Sequence, residues 1–318
     1  QHLFGDMYVT SSAVNVMKAI LSMGTFIVVV QSRTWAAKTG KEAEFYMLIV
    51  STLLGMFAMM SAGNFVMFFL GLEMASVPLA CAVAFDMYRK NSAEAAAKFI
   101  LTATFSSGVM LYGISFLYGQ FGTLYFEDIA VKMQATPLTV IGLVFFFSGL
   151  GFKISLVPFH FWTADTYQGA PTTVTGYLSV ISKGAAAFTL LSILFHVFGN
   201  MMEYWHVLLM IVVVLSITIA NLFAVRQNEL KRFMAFSSIS QAGYIMLAAI
   251  GNNWANSVAA LSYYVLIYVV ANMAVFTIIS VVEQNNGGKT NISDYNGFYQ
   301  TNPRLSFLMT LAMFSLGG

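Results

Sequence analysis

The sequence predicts an all-α protein, a polytopic transmembrane helix bundle with inverted five-helix repeats and one broken helix. Three observations support this class: the composition, the apolar segments of helix length, and the distribution of charge. Of the 318 residues, 58% are hydrophobic and only 9% are charged, whereas a soluble domain carries roughly 25% charged residues. Because about half of any folded surface stays in contact with solvent, the bilayer is the solvent that suits this chain.

Ten apolar segments follow one another along the chain. Each complete segment has roughly the 20 residues that a transmembrane helix requires. Turn residues such as Asn91-Ser92 and Asn252-Asn253 are predicted to separate them. The segments, of which the last is incomplete, lie at 12–31, 45–61, 63–84, 94–118, 137–158, 171–197, 206–225, 233–250, 256–281 and 304–318.

Basic residues in the predicted loops orient the bundle. Cytoplasmic loops of membrane proteins carry an excess of Lys and Arg. Loops of one parity hold all but one of the loop lysines and arginines, and those of the other parity hold only Lys132. The predicted cytoplasmic set is Arg33, Lys38, Lys41, Arg89, Lys90, Arg226, Lys231, Arg232, Lys289 and Arg304. The first predicted helix therefore begins on the outer side.

Several function classes find no support in the sequence. There is one cysteine, Cys81, and no Cys cluster, Gly-rich phosphate loop or HExxH motif. We therefore expect no cofactor or metal in this chain, and no nucleic-acid partner. Because the chain starts at Gln1 without a charged segment and cleavage site, and stops within an apolar run, we expect a fragment that lacks both ends and has no signal peptide.

Three ionisable residues lie near the middle of predicted helices: Glu73, Lys153 and Lys183. A charge at this depth costs about 3 kcal/mol on insertion scales, so such residues usually pair, contact internal water or move protons. Glu73 is the only acidic residue deep within a helix, and its alternative role is a protonated carboxyl that joins two helices. We expect all three to transfer protons, with Lys183 as a partner of Lys153.

Lys98, Lys18 and His160 are less deeply placed. Lys98 is expected either to extend toward the cytoplasm or to form an ion pair with Glu73 on the neighbouring helix. Lys18, near the outer end of the first helix, is expected to extend toward the interface. His160 suits a proton relay because its ordinary pKa is near 6.5, although its segment also fits an aromatic interfacial anchor.

Pro158 is predicted to break the fifth helix. A proline lacks the backbone N–H and leaves a carbonyl free in the preceding turn. Broken helices at membrane depth occur inside protein or beside water and often mark ion sites. We expect an interruption between about Ser155 and His160, with Lys153 facing the protein interior.

An internal repeat organises the helices. Residues 147–151 (FSGLG) resemble residues 314–318 (FSLGG), five helices later. An odd number of spans between two copies gives them opposite orientations, as in inverted-topology transporters. We predict a flanking helix and loop at 1–44, a first five-helix repeat at 45–198, and a second repeat, truncated in its fourth helix, at 199–318.

These motifs resemble those of the N subunit of NADH:quinone oxidoreductase, respiratory complex I, in the antiporter-like membrane subunit family. The resemblance covers nearly the whole chain. Residues 152–162 (FKISLVPFHFW), with Asp165 and 167–171 (YQGAP), resemble the seventh-helix signature of that family, and residues 71–79 (GLEMASVPL) resemble its fifth helix. Residues 230–232 (LKR) and 235–239 (AFSSI) resemble the start of its tenth helix, and Lys231 thereby joins the candidates.

The resemblance implies proton translocation coupled to quinone reduction elsewhere in the complex. The proton-transfer residues would be Glu73, Lys98, Lys153 and Lys183, with His160 as a relay and Lys231 as a further site. NADH, flavin, iron–sulfur clusters and quinone would be bound by partner subunits, and the membrane would be a bacterial inner membrane rather than an organellar one. The family has fourteen helices, and its further lysine would lie just past Gly318.

Two alternatives remain open on the sequence. One is a subunit of a multisubunit cation/proton antiporter, which shares the Glu and Lys pattern but differs in the segment at the break. The other is an inert scaffold subunit, against which the ionisable residues at membrane depth argue.

Overall fold

A computed structural model describes residues 2–87 and 89–317, and helices dominate this part of the chain. A two-stranded antiparallel sheet precedes them, formed by β1 (His2–Leu3) and β2 (Tyr8–Val9). The first eight helices are α1 (Ser12–Thr39), α2 (Glu42–Met60), α3 (Phe65–Val83), α4 (Lys90–Phe121), α5 (Phe126–Lys132), α6 (Pro137–Ile154), α7 (Phe161–Gly169) and α8 (Thr172–Tyr177). The remaining six are α9 (Lys183–His196), α10 (Met202–Ala224), α11 (Leu230–Leu247), α12 (Trp254–Asn285), α13 (Phe298–Thr301) and α14 (Pro303–Gly317).

Short non-α turns complete the helical part of the chain. A π-helical segment, Leu178–Ser182, joins α8 to α9, so that they form one continuous span. 3₁₀ turns occupy Gly199–Met201, Ala248–Ile250 and Ile292–Tyr295. The prediction of an all-α polytopic bundle is confirmed.

Nine helices among the described residues are long and apolar enough to cross a membrane. They correspond in order to the first nine predicted segments. The tenth segment corresponds to α14, whose Pro303–Gly317 is shorter than a full span, and Gly318 lies outside the described residues. The predicted inverted repeat and its boundaries stay predictions.

Several helices extend beyond the apolar segments that predicted them. The predicted turn at Asn91-Ser92 is wrong, because both residues lie in the first turn of α4. Ser92 is buried, and its hydroxyl donates to the Val83 carbonyl at the end of α3, 2.6 Å away. Hydropathy marks only the part of a helix within hydrocarbon, whereas the backbone hydrogen bonds continue into the aqueous layer.

Polar caps set several helix ends. Asn64 Oδ1 accepts the Met67 N–H at 2.8 Å and begins α3, and Asn253 Oδ1 accepts the Asn256 N–H at 3.2 Å and begins α12. Such caps satisfy backbone donors that have no partner within the helix. Gly122 ends α4 in the left-handed conformation, with φ of 70°, which glycine adopts without steric cost.

The span formed by α8, the π segment and α9 lies at the centre of the bundle. It is the most completely buried of the spans, and it contacts α1, α2, α6, α11 and α12. Lys183 begins α9 and is 1% exposed. The Lys183 side chain therefore contacts other helices and not lipid.

Gly55 and Gly71 hold α2 and α3 in close contact. A Cβ added at Gly55 would lie 2.4 Å from the Ala75 backbone nitrogen, and one at Gly71 would lie 2.4 Å from the Met59 backbone nitrogen. Small residues that let two backbones approach are typical of helix contacts within membranes. This contact fixes the rotation of α3 about its axis, and Glu73 lies in a cavity lined by α4 and α6.

We expect Gly55→Leu to lower the amount of folded protein in the membrane. Overpacking a tight contact costs about 1–3 kcal/mol, and here the obstacle is backbone, which cannot rotate away. The measurement is the content of this chain in purified membranes. Gly108→Leu is the matched control, because nothing lies within 4 Å of a Cβ at Gly108. Equal losses in the two variants would contradict the close-packing argument.

Candidate functional site

The predicted helix break lies between α6 and α7. α6 ends at Ile154, Ser155 adopts the left-handed conformation with φ of 69°, and α7 begins at Phe161. The Val157–Pro158 peptide bond is cis. Ser216 of α10 accepts the Val157 N–H on its hydroxyl at 2.9 Å, which satisfies a backbone donor at the break. The predicted interruption is confirmed.

Lys153 lies in the last turn of α6, and its side chain faces the protein interior as predicted. It is 5% exposed, and its Nζ donates to Ser76 Oγ of α3 at 2.7 Å. The Ser76 hydroxyl in turn donates to the Leu72 carbonyl at 2.6 Å. The serine thus links the amine to the backbone of the helix that carries Glu73.

Glu73 and Lys153 line one small cavity between α3, α4 and α6. Its volume is about 10 Å³, close to the space that a single water occupies. Ser76 and Ser107 contribute hydroxyls to the same lining. Glu73 is partly buried, and its carboxylate attracts the Lys153 amine electrostatically. The acid that the sequence singled out therefore lines the same cavity as Lys153.

Lys183 follows the π-helical segment Leu178–Ser182 directly. Its Nζ donates to Ser238 Oγ of α11 at 2.7 Å and lies 5.4 Å from the centre of the Tyr167 ring. The Tyr167 and Ser238 hydroxyls are 3.2 Å apart and share a hydrogen bond. π-helical turns occur frequently at functional sites. The three side chains form a polar cluster that joins α7, α9 and α11.

Buried polar atoms line the region of the break and α7. Within the described part of the chain, Ser155 Oγ, His160 Nδ1, Thr163 Oγ1 and Thr166 Oγ1 are buried and have no protein hydrogen-bond partner. Buried polar groups in native proteins are nearly always satisfied, and ordered water is the partner when protein is not. The segment from Ser155 to Thr166 is thus suited to internal water.

Further polar groups continue toward α14. Gln241 of α11 donates to the Leu316 carbonyl at 2.7 Å and accepts from the Tyr264 hydroxyl of α12. Ser240 Oγ and Tyr268 OH are buried and have no protein partner among the described residues. Polar side chains therefore extend from α3 across α6, α7, α9 and α11 to α12, and Gln241 links them to a backbone carbonyl of α14.

Lys98 does not pair with Glu73, so that predicted contact is wrong. Its Nζ lies 2.8 Å from a Glu94 carboxylate oxygen and 2.7 Å from Asp165 Oδ2, and its side chain is 46% exposed. Asp165 also accepts from Arg232 Nη1 at 2.6 Å. Lys98 lies near the N-terminal end of α4. This helix packs against α7, so the carboxylate of α7 is within its reach.

The Asp165 carboxylate joins α4, α7 and α11. Burial raises the pKa of Asp165, but hydrogen bonds from Lys98 and Arg232 outweigh this effect and hold the pKa below its ordinary value of 3.8. A carboxyl whose pKa is lowered by folding stabilises the fold above its ordinary pKa and loses this contribution only as pH falls through the lower value. The three-residue contact therefore persists at neutral pH.

Lys231 and Lys18 also find partners in the structure. Lys231 was assigned to a cytoplasmic loop, but it lies in the first turn of α11, is 2% exposed, and donates to the Ala170 carbonyl at 2.9 Å. The loop assignment is corrected because helical structure begins before the apolar segment. Lys18 donates to the Tyr8 hydroxyl at 2.7 Å and lies over the Tyr8 and Phe57 rings, toward the outer end of α1 as predicted.

We expect Ser238→Ala to slow proton transport severalfold. The substitution removes the hydroxyl that accepts from Lys183 and bonds Tyr167, and such a hydrogen bond contributes about 1 kcal/mol. Quinone-dependent proton uptake into membrane vesicles measures the effect. Ser148→Ala is the control, because Ser148 donates only to the Phe145 carbonyl of its own helix. Unchanged transport in Ser238→Ala, or an equal loss in both variants, would contradict this assignment.

A polytopic membrane protein whose buried lysines, acid and hydroxyls extend across a broken helix belongs to the class of ion-translocating subunits. Comparisons with known proteins specify the class. Residues 62–318 match the family model described as NADH:quinone oxidoreductase/Mrp antiporter, transmembrane. The chain belongs to this family, and within it to the N subunits of NADH-quinone oxidoreductase.

Curated relatives carry that subunit name. NADH-quinone oxidoreductase subunit N of Phocaeicola vulgatus is 61% identical over 99% of this chain and 67% of the relative. The subunit N of Azobacteroides pseudotrichonymphae is 51% identical over 99% of this chain and 66% of the relative. The chain thus spans about two thirds of the length of these relatives.

Solved structures show the same fold. A chain of respiratory complex I from Thermus thermophilus has a TM-score of 0.82 and 31% identity, covering 98% of this chain and 66% of its own length. A chain of the Mrp complex from Dietzia has a TM-score of 0.80 and 19% identity, covering 95% of this chain and 57% of its own length. At that identity the second likeness concerns the fold alone.

Proposed function

We propose that this chain transports protons across the membrane as the N-type subunit of NADH:quinone oxidoreductase. Two buried amines, Lys153 and Lys183, lie in neighbouring spans, one ahead of the helix break and one beyond it, and each is bonded to a serine of another helix. This arrangement carries the proposal, because a buried lysine that bonds to neutral hydroxyls is able to give up and regain a proton. Subunit N relatives above 30% identity support the same assignment.

The charge of Glu73 controls the proton on Lys153 in this proposal. The two groups line one cavity, and the negative carboxylate favours the protonated form of the amine. A protonation change or displacement at Glu73 therefore alters how strongly Lys153 holds its proton. The released proton passes along Ser155, His160 and the threonines of α7 toward Lys183, with internal water as the carrier.

Lys98 and Lys231 have separate positions in this route. The Lys98 ion pairs with Glu94 and Asp165 place its amine at the cytoplasmic end, where it is exposed to solvent. Lys231 is buried under the turn between α7 and α8, through its bond to Ala170. We assign both to the cytoplasmic side of proton transfer and the Glu73–Lys153 and Lys183–Ser238 pairs to the membrane interior.

The chemistry that drives transport belongs to partner subunits in this proposal. The other subunits of the complex bind NADH, flavin, iron–sulfur clusters and quinone, and this chain binds none of them. Other membrane subunits of the complex lie beside it in a bacterial inner membrane. The purified chain alone is then expected neither to oxidise NADH nor to bind quinone tightly, and measurable NADH oxidation by the purified chain would refute this division.

The competing function is exchange of a cation for protons without redox coupling. It rests on the shared family and on the fold of the Mrp chain. Vesicles that contain the whole complex distinguish the two. We expect proton uptake when NADH and quinone are supplied, and no proton movement when only a Na⁺ or K⁺ gradient is imposed. Cation-driven proton movement without redox substrates would favour the antiporter function.

A further inference from the structure

A second polar cavity lies at the cytoplasmic end of the bundle, apart from the Glu73–Lys153 cavity. Its volume is about 250 Å³, which gives room for several water molecules. Its lining includes charged and hydroxyl side chains from four parts of the chain: Lys38, Asp86, Arg89, Thr172, Thr173 and Glu283. Thr173 Oγ1 is buried and has no protein partner among the described residues. The cavity is therefore polar enough to hold water.

Glu283 lies at the edge of this cavity, near the end of α12. One carboxylate oxygen accepts from Arg89 Nη1 at 3.0 Å, and the other accepts from Thr172 Oγ1 at 2.5 Å. The Glu283 side chain is 12% exposed, whereas that of Arg89 is 48% exposed and also pairs with Asp86. The carboxylate is thus held in place from the buried side, whereas its cationic partner is half-exposed to solvent.

Lys231 donates to the Ala170 carbonyl, two residues before Thr172, whose hydroxyl donates to Glu283. Among the carboxylates that attract the Lys231 amine, Glu283 exerts the largest effect and Glu229 the next. Glu229 has structural partners of its own: it caps the Arg232 N–H of α11 at 2.6 Å and accepts from Thr290 at 2.5 Å. Glu283 is therefore the carboxylate that connects the hydrated cavity to a buried amine.

We propose that Glu283 loads protons into this chain from the cytoplasmic cavity, and that its ion pair with Arg89 controls this loading. This inference rests on the proposed function. When Arg89 moves away, hydronium in the cavity protonates the carboxylate and leaves water. The carboxylic acid then gives its proton to the neutral amine of Lys231, and the carboxylate and an ammonium result. Return of Arg89 to Glu283 ends the loading step and leaves the proton on Lys231.

Other charged groups face the same region. Lys38 of α1 and Asp86 before α4 line the cavity, and Tyr295 lies close enough to Glu283 for electrostatic interaction. Lys38 and Arg89 favour the charged carboxylate, whereas Asp86 favours its protonated form. Of these groups, Arg89 bonds Glu283 directly, so it has the strongest control.

The first test is Glu283→Gln in the whole complex, reconstituted in vesicles. We expect proton uptake per quinone reduced to fall about tenfold. This fall is smaller than the rate loss in many enzymes that lose a general acid, because cavity water still carries some protons. Glu283→Asp restores most of the uptake because it keeps the carboxylate. Glu44→Gln is the control: Glu44 is exposed in the first turn of α2, also at the cytoplasmic end. Uptake in Glu283→Gln equal to that in Glu44→Gln overturns the proposal.

The second test is Arg89→Gln, which is informative even where Glu283→Gln does not assemble. Without Arg89 no guanidinium opposes proton entry from the cavity, so the alkaline limit of the proton-uptake profile moves to higher pH. A structural role for Arg89 would lower the amount of complex without moving this limit. An unchanged profile overturns the proposal.

Lys153→Ala in the same vesicles separates this inference from the proposed function. Loss of uptake in Lys153→Ala with normal uptake in Glu283→Gln removes the loading role of Glu283 and leaves the proposed function standing. Normal uptake in both variants removes the proposed function itself. Loss in both, with the alkaline shift in Arg89→Gln, is the result that supports the inference.

Discussion

Lys153→Ala is expected to reduce proton transport about tenfold or more, at normal content of the complex. The substitution removes the buried amine that bonds Ser76 and that Glu73 attracts. General acid–base groups typically contribute at least this factor to a proton transfer. Proton uptake into vesicles, driven by NADH and quinone, measures the effect, with complex content determined on the same membranes.

Lys18→Ala is the matched control for that substitution. Lys18 is also a lysine within a span, but it lies toward the outer end of α1 and bonds the Tyr8 hydroxyl. We expect its loss to change transport by less than about twofold. The cation–π contact of Lys18 lies at a partly exposed site, where such a contact contributes only about 0.5–1 kcal/mol. That contribution is to the stability of the fold and not to proton transfer. Equal loss of transport in the two variants would contradict the special role of Lys153.

Glu73→Gln is expected to lower proton transport severalfold while assembly survives. The amide keeps the size of the carboxyl but removes the charge that attracts Lys153. The measurement is again vesicle uptake together with complex content. Unchanged transport at normal content would favour the alternative in which Glu73 joins α3 to its neighbours by packing alone.

Much of the fold was predictable because its signals are local. About twenty apolar residues in succession predict a span without any knowledge of neighbours, and the spans appear in the predicted order. The break was predictable for the same reason: Pro158 and Lys153 lie five residues apart, and each violates the pattern of a continuous lipid-exposed helix. Helix ends were less predictable, as α1 and α4 show, because hydropathy does not predict where a helix ends outside the hydrocarbon.

The partners in the site were not predictable, because they are distant in sequence. Ser76 and Ser238 are ordinary residues in the sequence, and only the packing of α3 on α6 and of α11 on α9 brings their hydroxyls to the lysines. The predicted ion pair between Lys98 and Glu73 is wrong, because the adjacency of two helices does not determine which of their faces meet. A signal for the serines did exist, since each lies on a helix that also carries a candidate ionisable residue.

Lys231 shows a different reason for failure. Its neighbour Arg232 reaches Asp165 on the partly exposed side of α11, whereas Lys231 points inward to Ala170. Two basic residues in succession at a helix start face different directions, because each residue of a helix turns the side chain by about 100°. A count of basic residues therefore predicts an orientation for the bundle, but it assigned a buried amine to a loop.

The central claim is that Glu73 and Lys153 act as one proton-transferring unit. The most direct test is a double-mutant cycle on vesicle proton uptake per quinone reduced, with Glu73→Gln, Lys153→Ala and the two combined. If the carboxylate acts through the amine, the double variant loses no more uptake than Lys153→Ala alone. Losses that multiply in the double variant would show two independent contributions and would contradict the account.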